Sequence, residues 1–335
     1  MKRVPGILSV VAGLLVAALA ADTRAQFKEA PEGGFPPPSG RIAFMRDQDL
    51  WIMKADGSEA KQLAASGRAG NRLAWSPDNA EILYCQEGFQ QYQLPSGGGG
   101  RIKLYDIFAM RVESPGSSKQ VTTDAMSSSP TYFPDGNRIA FSRNLNTFDL
   151  TKEVPNYQVY VGGTYGQPKP KSLYQGDATS ALQLMAPDVS PDGEQIACVV
   201  TTEQALASPK QTLGIIIVPS EGFGGPAQEW YTAAAKIPTS SAPSWSPDGR
   251  YLAYVDASSD PRSLGLYEVA RGTKRVIYKP LKGFDLSTSP PSWSSDGNWL
   301  VFANSKGTVL LVDRNGANLK ALTKGGTDTN PAFSN

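Results

Sequence analysis

Five aspartates recur at one position of a repeated turn, Asp78, Asp135, Asp192, Asp248 and Asp296. Carboxylates at a fixed position raise two chemistries, metal ligation and turn formation. A single Asp following Pro, or Ser in one copy, and preceding Gly or Asn belongs to the turn, because its side chain bonds the backbone just beyond it. Asp124, Asp177, Asp285 and Asp328 lie instead in connections between repeats, and Asp124 and Asp285 each precede a repeat proline by six residues. With Asp188, they would form an acidic rim suited to a basic peptide or a cation. The alternative is a set of solvated acids that cap turns. A further group, Phe89, Tyr92 and Leu94 with Leu145, Phe148 and Leu150, places large apolar side chains in polar insertions. Aromatic side chains in such a setting anchor protein partners, or they fold back and pack the insertion onto its own repeat. Histidine is absent from all 335 residues. This removes the usual general base of serine and cysteine hydrolases and the commonest transition-metal ligand. There is no Gly-x-Ser-x-Gly elbow, phosphate loop or Cys-x-x-Cys pair. The 31 acids include no motif that gathers two in a cleft. No catalytic residue, cofactor or metal site is expected.

The elements that position these residues are repeats. Clear copies run Pro243-Ser-Trp-Ser-Pro-Asp-Gly-Arg-Tyr-Leu-Ala-Tyr254 and Pro130-Thr-Tyr-Phe-Pro-Asp-Gly-Asn-Arg-Ile-Ala-Phe141. Others begin at Leu73, Pro187 and Pro291, and one is divided between Ser39–Phe44 and Pro331–Asn335. Measured at the turn proline or its equivalent, copies fall at 37, 77, 134, 191, 247, 295 and 335, giving spacings of 40, 57, 57, 56, 48 and 40. Forty residues hold four short strands, so the longer spacings carry insertions. The seventh position closes onto the first. Repeats of roughly 40–50 residues with several strands each indicate a β-propeller. The fold class is therefore all-β: a six-bladed β-propeller over residues 39–335, closed by pairing the C-terminal strand with the N-terminal blade.

Each motif position has a local cause. Pro pre-sets φ, Asp bonds the turn and Gly supplies positive φ, which Asn79 also tolerates. The proline before the aromatic lacks an N–H, which an edge strand facing a channel accommodates. The aromatic or branched residue after it (Trp75, Tyr132, Val189, Trp245, Trp293, Phe333) would fill the gap between blades. Second-to-third-strand loops are long at Gln86–Gly100, Arg143–Asn156, Thr201–Thr212 and Asp256–Leu264. They share one face with the inter-blade connections, so insertions and acids collect there, and loops on a rigid scaffold are where binding resides.

Residues 1–25 read as a secretory signal: Lys2 and Arg3, an apolar Ile7–Ala20 run, and cleavage sites after Ala20 or Ala25. The alternative is an uncleaved anchor, although the run is short for a membrane span, and no transmembrane span is expected after cleavage. Residues 26–38 form a Pro/Gly-rich linker. Without residues 1–25 the chain holds 29 basic and 30 acidic side chains. That balance gives no global field for nucleic acid or an anionic membrane. Cys85 and Cys198 lie in blades two and four, too far apart for a disulfide, and read as buried apolar residues.

The Trp-Ser-Pro-Asp-Gly core with its following Ile-Ala-Phe or Leu-Ala-Tyr strand, and the Asp-Gly turn after the third strand, resemble the WD40-like repeat of the TolB family across about residues 39–335. The resemblance implies a periplasmic propeller of the Tol-Pal envelope system, a family whose members bind a peptidoglycan-associated lipoprotein at a propeller face. TolB proteins carry an α/β domain before the ring; here only about 14 residues separate the signal from blade one. The expected function is a non-enzymatic periplasmic or secreted scaffold that binds a protein or peptide of the cell envelope on the inserted-loop face. A carbohydrate- or ligand-binding propeller is the alternative, followed by a carboxylate-based lyase or hydrolase. A protein site would expose apolar loop tips, and a sugar site would converge aromatics on the channel.

Overall fold

A computed structural model describes residues 31, 34–65, 69–93, 99–145, 156–176, 182–202, 213–225, 230 and 235–335. The chain divides into Met1–Phe35 and Pro36–Asn335. In the first unit Gly34 N–H donates to Pro31 O at 2.8 Å. The signal and cleavage sites fall outside the described residues.

The second unit is built of four-stranded antiparallel blades. Blade one holds β1 (Arg41–Arg46), β2 (Asp49–Lys54) and β3 (Lys61–Ala64); blade two holds β4 (Ala69–Trp75), β5 (Glu81–Gln93), β6 (Gly99–Arg111) and β7 (Ser118–Gln120). Blade three holds β8 (Ser127–Tyr132), β9 (Arg138–Asn144), β10 (Tyr157–Gly163) and β11 (Lys171–Ser172). Blade four holds β12 (Leu182–Val189), β13 (Gln195–Thr202), β14 (Leu213–Pro219) and β15 (Ala235–Thr239). Blade five holds β16 (Ser244–Trp245), β17 (Tyr251–Asp256), β18 (Ser263–Glu268) and β19 (Thr273–Tyr278). Blade six holds β20 (Ser292–Trp293), β21 (Trp299–Ala303), β22 (Val309–Asp313) and β23 (Lys320–Ala321), and β24 (Thr329–Phe333) returns to blade one. A single pair, Thr239 with Asp256, joins the sheets of blades four and five.

Closure follows the predicted pairing of the C-terminal strand with blade one. In the order β24-β1-β2-β3, Ile42 faces Phe333 and Ala43 faces Ala332. Ser334 N–H donates to Arg41 O at 2.8 Å, and Arg41 N–H donates to Ser334 Oγ at 3.0 Å. The chain end also reaches blade two, where Asn335 N–H donates to Asn79 Oδ1 and Asn79 Nδ2 donates to Asn335 O, both at 2.8 Å.

The motif builds a contact between neighbouring turns as well as each turn. In four copies Ser Oγ (Ser76, Ser190, Ser246, Ser294) donates to the Asp carboxylate two residues on at 2.5–2.6 Å. The same oxygens accept the N–H of Glu81, Gln195, Tyr251 and Trp299. These bonds hold the Asp78 and Asp192 carboxyls below the usual carboxylate range. Across blades, each turn proline lies against the next turn's glycine. A Cβ on Gly193 would stand 3.4 Å from Pro134 Cδ, and one on Gly297 would stand 3.6 Å from Pro247 Cδ. Asn335 takes the proline position of blade one and Asn79 the glycine position of blade two, so their reciprocal hydrogen bonds replace that contact.

Pro130, Pro187 and Pro331 stand inside β-bulges, a stricter placement than a plain channel edge. The residues before them, Ser129, Ala186 and Asn330, have φ of 52, 51 and 49°. Pairing register shifts at each site, and a bulge leaves a residue without a ladder partner, which suits a residue lacking an N–H. The inter-blade role of the motif side chains holds: Trp75 packs with Ala43, Leu50 and Ile82, and Trp245 packs with Ala197, Ile215 and Leu252. Cys85 and Cys198 are buried and unbridged, and burial pushes the Cys85 thiol up to about 12.

Deleting residues 330–335 removes β24 from blade one and the Asn335–Asn79 clasp. The melting midpoint falls by at least about 10 °C; an unchanged melting curve contradicts the closure.

Candidate functional site

Strand alternation fixes two faces. First-to-second and third-to-fourth turns share one face, and second-to-third loops share the other with the inter-blade connections. On this loop face the Gln86–Gly100 insertion is mostly strand. β5 and β6 each run 13 residues and stay paired to Gln93↔Gly99, forming a ribbon past the blade. Phe89 is 45% exposed on it, and Leu145 at the end of β9 is 42% exposed. Tyr92 stands opposite Gly100 in the ribbon. Phe148 and Asp177 lie outside the described residues.

Three rim acids each clamp an arginine. Asp124 pairs with Arg143 and accepts the N–H of Met126 at 2.9 Å and Ser127 Oγ at 2.8 Å. Asp285 receives the backbone N–H of Arg262 at 2.8 Å, its Nε at 2.9 Å and its Nη2 at 2.6 Å. Burial pushes the Asp285 carboxyl up, but the Arg262 hydrogen bonds and charge outweigh it and hold the carboxyl below its usual value. Asp328 is buried and takes a fork from Arg46 at 2.7 and 2.8 Å. The Arg46 guanidinium also lies 4.9 Å from the Trp51 ring centroid. These acids fasten connections to strands as neutral pairs, with charge-assisted bonds of the stronger kind.

Asp188 stands apart, inside the channel and buried. Its carboxylate meets Arg72 Nη2, accepts Trp245 N–H at 2.7 Å and accepts Thr131 Oγ1–H at 3.3 Å. Arg72 comes from β4, two blades away around the ring. Its Nη1 also donates to Pro187 O at 2.8 Å and Pro243 O at 3.4 Å. The two side chains form a strut across the channel from blade two to blades four and five. Burial pushes the Asp188 carboxyl above its usual range, against the pull of Arg72, the Trp245 N–H and Thr131. Sequence reasoning singled out Asp188 and missed Arg72. The signal was present, since the matching position in other copies holds Ser129, Ala186, Ala242, Pro290 and Asn330, none of them charged.

Above the strut, on the turn face, a funnel of about 380 Å³ is lined by Pro77, Pro134, Pro191, Pro247 and the edges of Trp245 and Trp293. The indoles are buried, and each donates its N–H to the preceding blade: Trp75 to Ala332 O, Trp245 to Asp188 O and Trp293 to Ser244 O, at 3.0–3.1 Å. Their ring planes serve the blade interfaces. Among the described residues no three His, Cys, Asp or Glu side chains gather as a metal cage, and no helix is long and apolar enough to cross a membrane.

A closed ring of four-stranded blades around a strutted channel defines a six-bladed β-propeller. No family model matches the chain. An uncharacterized protein of Agrobacterium fabrum is 23% identical over 226 residues, which is 68% of this chain and 67% of that one. TolB from Acinetobacter baumannii has a similar structure, with TM-score 0.62 and 18% identity over 89% of this chain and 67% of that one. A putative TolB from Agrobacterium tumefaciens gives TM-score 0.57 and 15% identity over 87% of this chain and 90% of that one. An oligogalacturonate lyase in complex with manganese gives TM-score 0.50 and 12% identity over 78% of this chain and 70% of that one. At these identities the likeness is one of fold, and the fold is that of a TolB-like propeller.

Replacing Arg72 with Met leaves Asp188 buried without its counter-charge, which costs about 3–5 kcal/mol. Asp188→Asn keeps an acceptor for Trp245 N–H, so the double variant regains at least half of that loss in chemical denaturation. A single variant as stable as wild type contradicts the strut.

Proposed function

We propose that the chain is a non-enzymatic, periplasmic or secreted scaffold that binds a protein or peptide of the cell envelope on its loop face, in a Tol-Pal-like setting. The observation that carries this reading is the ribbon of blade two, with Phe89 and Leu145 exposed on the same sector of that face. Large apolar side chains displayed on a rigid scaffold favour a protein partner. Phe148, Asp177 and Tyr92 belong to the same proposed face by their place in the chain, as do Asp124, Asp285 and Asp328. Asp188 stands in the channel and takes part only if a partner reaches inside.

The sugar-binding reading needs aromatic planes open to the funnel, and those of Trp75, Trp245 and Trp293 are buried between blades. The enzymatic reading needs a carboxylate free to exchange protons with a substrate, and Asp188 is engaged by Arg72, Trp245 and Thr131. The secretory assignment rests on the pattern of residues 1–25.

Photo-crosslinking side chains placed at positions 89 and 145 test the reading in the producing cells, with positions 58 and 315 on the turn face as controls. A discrete protein adduct from the first pair alone is expected. Equal labelling from both pairs, or none from either, contradicts it.

A further inference from the structure

The chain's near-zero net charge conceals a local arrangement on the opposite sector of the loop face. The connection from blade five to blade six reads Lys279-Pro-Leu-Lys-Gly-Phe-Asp285. Phe284 N–H donates to Leu281 O at 3.0 Å, and Gly283 has φ of 91°, so Leu281–Phe284 is a type II turn. That turn displays two large apolar side chains, Leu281 at 79% exposure and Phe284 at 53%. Single exposed apolar residues are ordinary, but two on one four-residue turn form a patch.

Basic residues surround this turn. Lys279 and Lys282 belong to the connection itself and are exposed. Ser305 N–H donates to Asp285 O at 2.8 Å, and Gly326 N–H donates to Lys306 O at 3.1 Å. These bonds bring the loops carrying Lys306 and Lys324 alongside. Among the described residues, none of these four lysines forms an ion pair. The nearby acids Asp285 and Asp328 are matched by Arg262 and Arg46. Asp47 and Asp260 remain as exposed acids on flanking loops, which leaves the lysines in excess.

We propose that this sector is an anchor for an anionic lipid surface. Leu281 and Phe284 enter the interfacial layer, and Lys279, Lys282, Lys306 and Lys324 meet headgroup phosphates. The patch sits on an exposed turn, with Leu281, Lys282, Gly283 and Phe284 all open to solvent. An exposed apolar turn ringed by ammonium groups suits a soft anionic interface, which needs no complementary pocket. Blades five and six lie across the ring from blades two and three, so the anchor and the ribbon occupy separate sectors.

Sedimentation with lipid vesicles tests the anchor, using protein purified from its producing cells. Vesicles of phosphatidylglycerol mixed with phosphatidylcholine are compared with phosphatidylcholine alone. The wild-type protein is expected to sediment with the anionic vesicles and to be released by high salt. Leu281→Ser with Phe284→Ser lowers the bound fraction about tenfold, and Lys279→Gln with Lys282→Gln abolishes the preference for anionic lipid. Both pairs change exposed side chains, and an unaltered melting curve confirms that the ring is intact. Any of three results overturns the proposal: no sedimentation with anionic vesicles, binding that ignores the serine pair, or retention by soluble polyglutamate without retention by vesicles.

Discussion

Ring closure is the constraint on which the rest of this structure depends. A sheet blade with a free edge invites pairing with other chains, and a row of blades buries its apolar faces fully only when the last packs against the first. Here β24 supplies the inner strand of blade one, and its residues bind three blades. Phe333 N–H donates to Ser292 Oγ of blade six at 3.0 Å, Ala332 O accepts the Trp75 indole of blade two, and Ser334 pairs with Arg41 of blade one. The same strand positions Asp328 to receive the Arg46 fork. One short segment thus fixes the seam, and the loop face beside it is fixed as a result.

Around the ring the same logic repeats with small variations. A turn proline lies on the next glycine, and three of the inner-strand aromatics are indoles whose N–H reaches the preceding strand. Left-handed backbone at Ser129, Ala186 and Asn330 costs of order 1–3 kcal/mol at each site. Arg72 collects the carbonyl of Pro187, inside one bulge, and that of Pro243, just before β16. The channel is therefore strutted by a buried ion pair whose members come from blades two and four. That geometry leaves little inside the ring for a ligand to displace and shifts attention to the loop face.

The repeat, the blade number and the seam were legible because each depends on local chemistry repeated at a fixed interval. Pro247, Asp248 and Gly249 announce their turn wherever it falls. In sequence the ribbon reads as a loop, because Gln90, Gln91, Gln93 and the glycines 97–100 have little strand preference. Pairing between two long antiparallel segments overrode that preference. Arginine partners of the rim acids were not legible, since Arg46 and Asp328 are 282 positions apart and meet only through closure. Arg72 stood in plain view as the one charge at its motif position, but its role appears only once β4 and β12 are placed around one channel.

One fold serves proteins with several roles, so the surfaces of this ring decide its function. The most direct measurement of the central claim is amide hydrogen exchange in the native protein. If closure carries the ring, amides of Ile42–Phe44 and Ala332–Ser334 exchange as slowly as those of Leu252–Val255 in blade five. Rapid exchange confined to the terminal strand, with blade five still protected, would show that the ring stands without its clasp and would contradict the account.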